Sequence, residues 1–246
     1  MKSRARRTSG RRRWQFLRHP GLVGSAVIIV LVLFAAIGTR SLVDGGGSGA
    51  PATAPFRYTI VAGDTIAGVS SLLAANPAIL ASQTGGTMVP GTLVTVDAAE
   101  LWSRMRSAPF GDNEALVVQA AGRFGIRPAL ALAVAWQESR LQQDTRSPTG
   151  AVGIMQVEPD TSTLASRDLG VPLEPTNASD NVTAGLFWLH SLLDSYHDDE
   201  ASALAAYYEG PGNLERRGYL NGTAEYVAHV RQVESALLAA NSQLDT

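Results

Sequence analysis

A single carboxylate, Glu138, interrupts the apolar run "LALAVAWQESR" at residues 130–140. Written as a helix, Leu130, Val134 and Glu138 fall four apart on one face, so the acid shares a stripe with two core-type side chains. A carboxylate withdrawn from water either finds a partner or keeps its proton to higher pH, and a raised pKa is what a general acid needs near neutrality. Pro128 starts the helix and "RSPTG" breaks the chain beyond it. Glu138 therefore sits near the C-terminal end, where the partial negative charge of the helix also opposes ionisation. Arg127 or Arg140 would act in the other direction. An ion pair with one of them is the structural alternative to a catalytic acid.

The segments around that helix are themselves helical. Asp112 or Asn113 is placed to cap "EALVVQAAGRFG", and Asp180 or Asn181 to cap "VTAGLFWLHSLLDSYH". A helix over 200–209 stops at Gly210-Pro211, and Thr223 can cap a last one whose stripe is Val227, Val230, Val233, Leu237 and Leu238. Five or more short helices around one core are expected over 112–242. Ahead of them, 56–97 reads as a strand, two helices and a strand. Tyr58 to Val61 alternate, and Asp64 can cap a helix with the stripe Ile66, Val69, Leu72 and Leu73. Pro77 starts a second helix through Ala81, and "GTLVTV" closes a strand. A short helix with Trp102 and Met105 connects the two regions over 98–111.

With 246 residues and 45% hydrophobic content, the chain has room for one sizeable core and a small second module. It has no Cys, which excludes disulfides, thiol catalysis and cysteine zinc sites. Charge is split along the chain. Eight Lys and Arg and no acid occupy residues 1–20, whereas 12 basic and 22 acidic residues lie from Arg40 onward. Between them "GLVGSAVIIVLVLFAAIG" carries no charge over 18 residues, which at about 1.5 Å per residue nearly spans a bilayer core of roughly 30 Å. Residues 1–20 are expected to be cytoplasmic, 21–39 a transmembrane anchor, and the remainder extracytoplasmic at a bacterial cell membrane. A signal cleaved near Ala36 and Gly38, giving a secreted protein, is the rival. The arginines serve as a topology signal, not a nucleic-acid site, since nothing aromatic or structured accompanies them. Residues 40–55, rich in Gly, Ser, Pro and Ala, form a tether reaching about 20 Å.

Two stretches resemble known families. "YTIVAGDTIAGVS", the Asn76-Pro77 step and the "VPGTLVTV" ending make residues 56–97 similar to the LysM domain. That resemblance implies binding to glycans containing N-acetylglucosamine, and a module separable from the helical region after it. "AWQESRLQQDTRSPTGAVGIMQVEPDT" resembles the core of soluble-type lytic transglycosylases through Glu138-Ser139, Ser147-Pro148-Thr149-Gly150-Ala151, Gly153-Ile154-Met155-Gln156 and Pro159. Further on, "NVTAGLFWLHSLLDSY", "LAAYYEGPGNL" and "AEYVAHV" match the same family in order. The fold implied is mainly α, a lysozyme-like helical catalytic domain over 112–242.

By that resemblance Glu138 is the catalytic residue. It would protonate the oxygen between N-acetylmuramic acid and N-acetylglucosamine of peptidoglycan, then accept the proton of the C6 hydroxyl to leave a 1,6-anhydro end. Ser139, Met155, Gln156 and Tyr207 would line the cleft. The chain departs from the family at Tyr208-Glu209, where Asn-Ala is usual. Glu209 is thereby a possible second acid. A muramidase using water, a non-catalytic wall-binding protein and a chitin-cleaving enzyme are the rivals. His190, Asp194 and His197 share a helix face, but helical spacing on a solvent face explains them, so no metal and no cofactor is expected. No phosphate loop or dinucleotide fingerprint is present.

Overall fold

The computed structural model describes residues 54–245. The basic N-terminus, the apolar run 21–39 and the tether up to 53 lie outside the described residues. Among the described residues no helix is long and apolar enough to cross a membrane.

The first elements are strand β1 (Pro55–Thr59), helices α1 (Ile66–Leu73) and α2 (Pro77–Thr84), and strand β2 (Leu93–Asp97). The strands pair antiparallel with Tyr58 opposite Val94, and the sheet buries Tyr58, Val94 and Val96 against Val69, Leu72, Leu73 and Leu80 of the two helices. The strand, helix, helix, strand order is as expected. The cap is not. Thr65 caps α1, accepting from Gly68 N, while Asp64 turns back to accept from Tyr58 Oη at 2.7 Å and Val61 N at 2.8 Å. His229 meets its other oxygen at 2.9 Å. Burial alone would push the Asp64 carboxyl up, but the His229, Tyr58 and Val61 hydrogen bonds outweigh it and hold the group below the usual carboxylate range.

β2 runs directly into α3 (Ala98–Arg106), because Asp97 caps that helix through Ala99 N and also accepts from Ala54 N. The helical body comprises α4 (Gly111–Phe124), α5 (Pro128–Ser139), α6 (Pro159–Leu169), α7 (Ala178–Ser195), α8 (Glu200–Glu209), α9 (Pro211–Arg217) and α10 (Thr223–Ala240). A 3-10 turn at Ser242–Asp245 closes it. Pro128 and Pro159 open their helices where a missing N–H costs nothing. Three other starts differ from the sequence expectation. α4 begins at Gly111 with no side-chain cap, α7 is capped by Asn177, which frees Asn181 for another use, and α10 follows Gly222 with no side-chain cap, Thr223 donating its hydroxyl to Glu209 instead.

α5 is the axis of the core. Ala129 through Trp136 are all buried, because α4 and α10 pack on it from two sides. Alanine at every second position lets these neighbours approach. Arg127, ahead of α5, pairs with Glu200 and Glu234 at 2.6 Å each and so joins α8 and α10, not Glu138. The strand, helix, helix, strand module shares this core. Trp136 donates from Nε1 to Leu72 O at 2.7 Å in a buried bond, and α3 packs on α10. The buried residues of the two regions form one apolar cluster. α10 packs on both α3 and β1 where the two regions meet.

Candidate active site

Glu138 lies one residue before the end of α5, with Leu130 and Val134 buried behind it on the same face. The residue itself is half-buried. Tyr226 of α10 donates to Glu138 Oε1 at 2.6 Å. Burial, the largest influence, pushes the carboxyl from 4.5 up to about 7, against the Tyr226 hydrogen bond and the positive charge of Arg140, which pull it down. Arg140 occupies the left-handed cap of α5 at φ 57° and turns its guanidinium back onto the carbonyls of Trp136 and Gln137. It thus screens the helix end as well as the acid.

The wall beside Glu138 is the segment 141–157, folded by isolated bridges Arg146 to Val152 and Val152 to Val157. Three side chains bolt it to three helices. Ser139 donates to Ile154 O at 2.8 Å and accepts from Gln142 N at 3.0 Å. Asn181 accepts from Met155 N at 2.9 Å and donates to Val152 O and Pro175 O at 2.8 Å. Tyr207 of α8 donates to Met155 O at 2.9 Å. Gly153, at φ 80°, has Asn181 where a Cβ would stand, 2.4 Å away, and a Cβ on Gly185 would lie 2.4 Å from that of Met155. Both glycines are therefore required by close approach.

Tyr208 stacks on Tyr226 with ring centroids 4.6 Å apart and planes at 23°. Burial first, then the Glu138 charge, push the Tyr207 and Tyr226 hydroxyls well above their ordinary value, so both stay donors. The site is one acid beside a cluster of phenols. Such an arrangement can hand a proton to a leaving oxygen and take one back.

A family model for the transglycosylase SLT domain matches residues 115–237, half of the chain. The chain belongs to that family. It is 30% identical over 147 residues to the soluble lytic murein transglycosylase of Salmonella typhimurium, covering 56% of this chain and 22% of that one. The soluble lytic murein transglycosylase of Escherichia coli K12 matches over the same length at 29% identity. The chain thus matches under a quarter of the length of these relatives. An inactive mutant of lytic transglycosylase Slt from Pseudomonas aeruginosa superposes with a TM-score of 0.48 at 25% identity, over 52% of this chain and 24% of that one.

Within this SLT domain the residues singled out from sequence take different places. Glu138 and Tyr207 meet at the site. Gln156, at φ 45°, folds its amide onto Thr145 O at 3.3 Å and Gly153 O at 3.0 Å, so its side chain ties the turn together. Met155 is fully buried under Gly185 and Ser139 is 6% exposed, which makes both of them supports beneath the wall. Glu209 is 3% exposed and accepts from Leu220 N and Thr223 Oγ1 at 3.1 Å each. It anchors the turn that starts α10.

Tyr226 and Asn181 are parts of the site to which the sequence analysis assigns no role, although both lie in segments that match the family. Tyr226 lies within "AEYVAHV", and its signal is a phenol on the apolar stripe next to Val227. Asn181 has the type and position of a helix cap, which hides its role. A groove of about 420 Å³ lies elsewhere, on the seam between β1 and α10, walled by Thr59, Val61, Tyr219, Val227 and Arg231. Among the described residues no cluster of three His, Cys, Asp or Glu is close enough to hold a metal ion.

Proposed function

We propose that the protein is a peptidoglycan lytic transglycosylase that cleaves between N-acetylmuramic acid and N-acetylglucosamine with Glu138 as acid and then base. The observation that carries this reading is the carboxyl of Glu138, lifted to about 7 by burial at the end of α5 and held by Tyr226. Family membership and the murein-cleaving relatives support the substrate class.

In the first step Glu138 gives its proton to the glycosidic oxygen, and the bond to C1 breaks. The carboxylate left behind is stabilised by the Tyr226 hydroxyl and by Arg140. In the second step it accepts the proton of the C6 hydroxyl as that oxygen closes on C1, giving the 1,6-anhydro end. Retaining glycosidases place a second carboxylate about 5 to 5.5 Å from the first and inverting ones about 6.5 to 9.5 Å. Glu209, the second acid offered by the sequence, is committed to the α10 turn. This favours an internal hydroxyl over activated water.

Mass spectrometry of products from purified peptidoglycan tests the reading. Anhydro ends are expected. Reducing ends would make the protein a muramidase, and no release at all would leave a wall-binding protein. Gln156, Tyr207, Ser139 and Met155 build the wall against which the sugar lies, the last two from beneath.

The module over 56–97 is proposed to bind glycan as a LysM domain, supported by its element order and the matching turns. Residues 21–39 are proposed to anchor the protein in the bacterial cell membrane with the rest outside. Retention in membranes at high salt with an intact N-terminus is expected, and a soluble form starting near Thr39 would show a cleaved signal.

A further inference from the structure

The two helices that bear the candidate chemistry are also the two that grip the strand, helix, helix, strand module. On α5, Trp136 lies two residues before Glu138, and its indole N–H is the buried bond to Leu72 O at the end of α1. Phe110, T-shaped to it with ring centroids 6.0 Å apart, and the Arg140 guanidinium at 5.6 Å hold that indole in place. On α10, successive turns carry Tyr226 to Glu138, His229 to Asp64 at 2.9 Å, and Gln232 to Thr59 N and O at 2.6 and 2.9 Å. Asp64 receives His229 already fixed by Tyr58 and Val61, so the contact is made to a rigid turn.

We propose that the module is a working part of the catalytic centre, with Trp136 and His229 as positioning residues that lock α5 and α10 onto it and so hold Tyr226 against Glu138. The inference rests on the reading of Glu138 as the acid. Glu138 and Tyr226 reach each other only through the relative placement of α5 and α10. Both helices are pinned to the same small module within a turn or so of the contact. Reacting groups must be held to within about 0.5 Å, and a misplacement of about 1 Å costs up to about a hundredfold in rate.

The test follows the carboxyl carbon of Glu138 by NMR in the full chain across pH, alongside turnover and thermal unfolding. The titratable groups facing Glu138 are Arg140, Tyr207, Tyr208 and Tyr226, and none is altered except Tyr226. Tyr226→Phe removes a hydrogen bond to the carboxylate and raises the Glu138 midpoint. Trp136→Phe and His229→Ala are each expected to raise it too, and His229→Ala, which leaves Arg140 on its indole, should add nothing in the Tyr226→Phe background, because both act through one contact. His229→Gln, which keeps a donor for Asp64, should restore the midpoint. Turnover should fall about ten- to a hundredfold in the two seam variants, with KM within about twofold. Asp64→Ala removes the same contact from the other side if His229→Ala does not fold. An unchanged midpoint with a lower unfolding temperature, or a His229→Ala shift that adds to Tyr226→Phe, would overturn the proposal. A wild-type protein that releases no product would refute the enzymatic reading alone, since the titration still decides the coupling.

Discussion

Tyr226 Oη and Glu138 Oε1 stand 2.6 Å apart although 88 residues separate them in the chain. The phenol stabilises the ionised acid without neutralising it, because burial keeps the hydroxyl pKa well above the ordinary value. Glu138 can therefore pass between acid and base with its partner unchanged.

Replacing Glu138 by Gln should leave the fold intact, since an amide oxygen can still accept from Tyr226. Turnover on peptidoglycan is expected to fall by about 10² to 10⁴, the usual worth of a positioned acid or base. Product release and thermal unfolding on one sample separate the cases. A fully active variant would sink the assignment.

Stability should carry the signature of the same group. The Glu138 pKa rises from 4.5 to about 7 on folding, so the folded state binds its proton more tightly than the unfolded chain. The resulting stabilisation is fully present below about pH 4.5 and is lost as pH rises through about 7, at most about 3 kcal/mol in all. Glu138→Gln has no proton to lose there. Urea unfolding at pH 4 and pH 8 should show the variant gaining on the wild type at the higher pH, and parallel curves would contradict the buried acid.

Glu209→Gln tests the second carboxylate. The amide oxygen can replace Oε2 as acceptor for Leu220 N and Thr223 Oγ1, so turnover is expected within a few-fold of the wild type, with anhydro products retained. Glu209→Ala leaves those donors without their partner and should cost about 1 to 3 kcal/mol or more of stability. A Gln variant as inactive as Glu138→Gln would instead mark a two-carboxylate hydrolase.

Gly185→Ala should be among the most damaging single methyl additions. The new Cβ would lie 2.4 Å from Met155 Cβ, inside the core beneath the wall, and overpacking of this kind costs about 1 to 3 kcal/mol. Because Met155 N and O are held by Asn181 and Tyr207, the strain reaches the site. Denaturant midpoints and turnover should both fall. A neutral result would mean that the wall yields freely.

The helix carrying Glu138 is legible in the amino-acid sequence alone, since Pro128 marks its start and the spacing of Leu130, Val134 and Glu138 assigns the face. Those are interactions among near neighbours, which periodicity encodes. Asp64 and Asn181 show where that legibility stops. Each is a good cap by type, yet Thr65 and Asn177 cap the helices, and the freed side chains bond His229 at 165 residues' distance and Met155 at 26. A short polar side chain next to a helix start has several donors within reach, and only the folded backbone selects among them. The pairing of Tyr226 with Glu138 and the seating of Trp136 on Leu72 belong to that same class. Helices and their apolar faces arise from local spacing. Which faces meet, and so whether the acid is buried, partnered and braced by the small module, depends on packing between distant segments, and tertiary structure alone decides it.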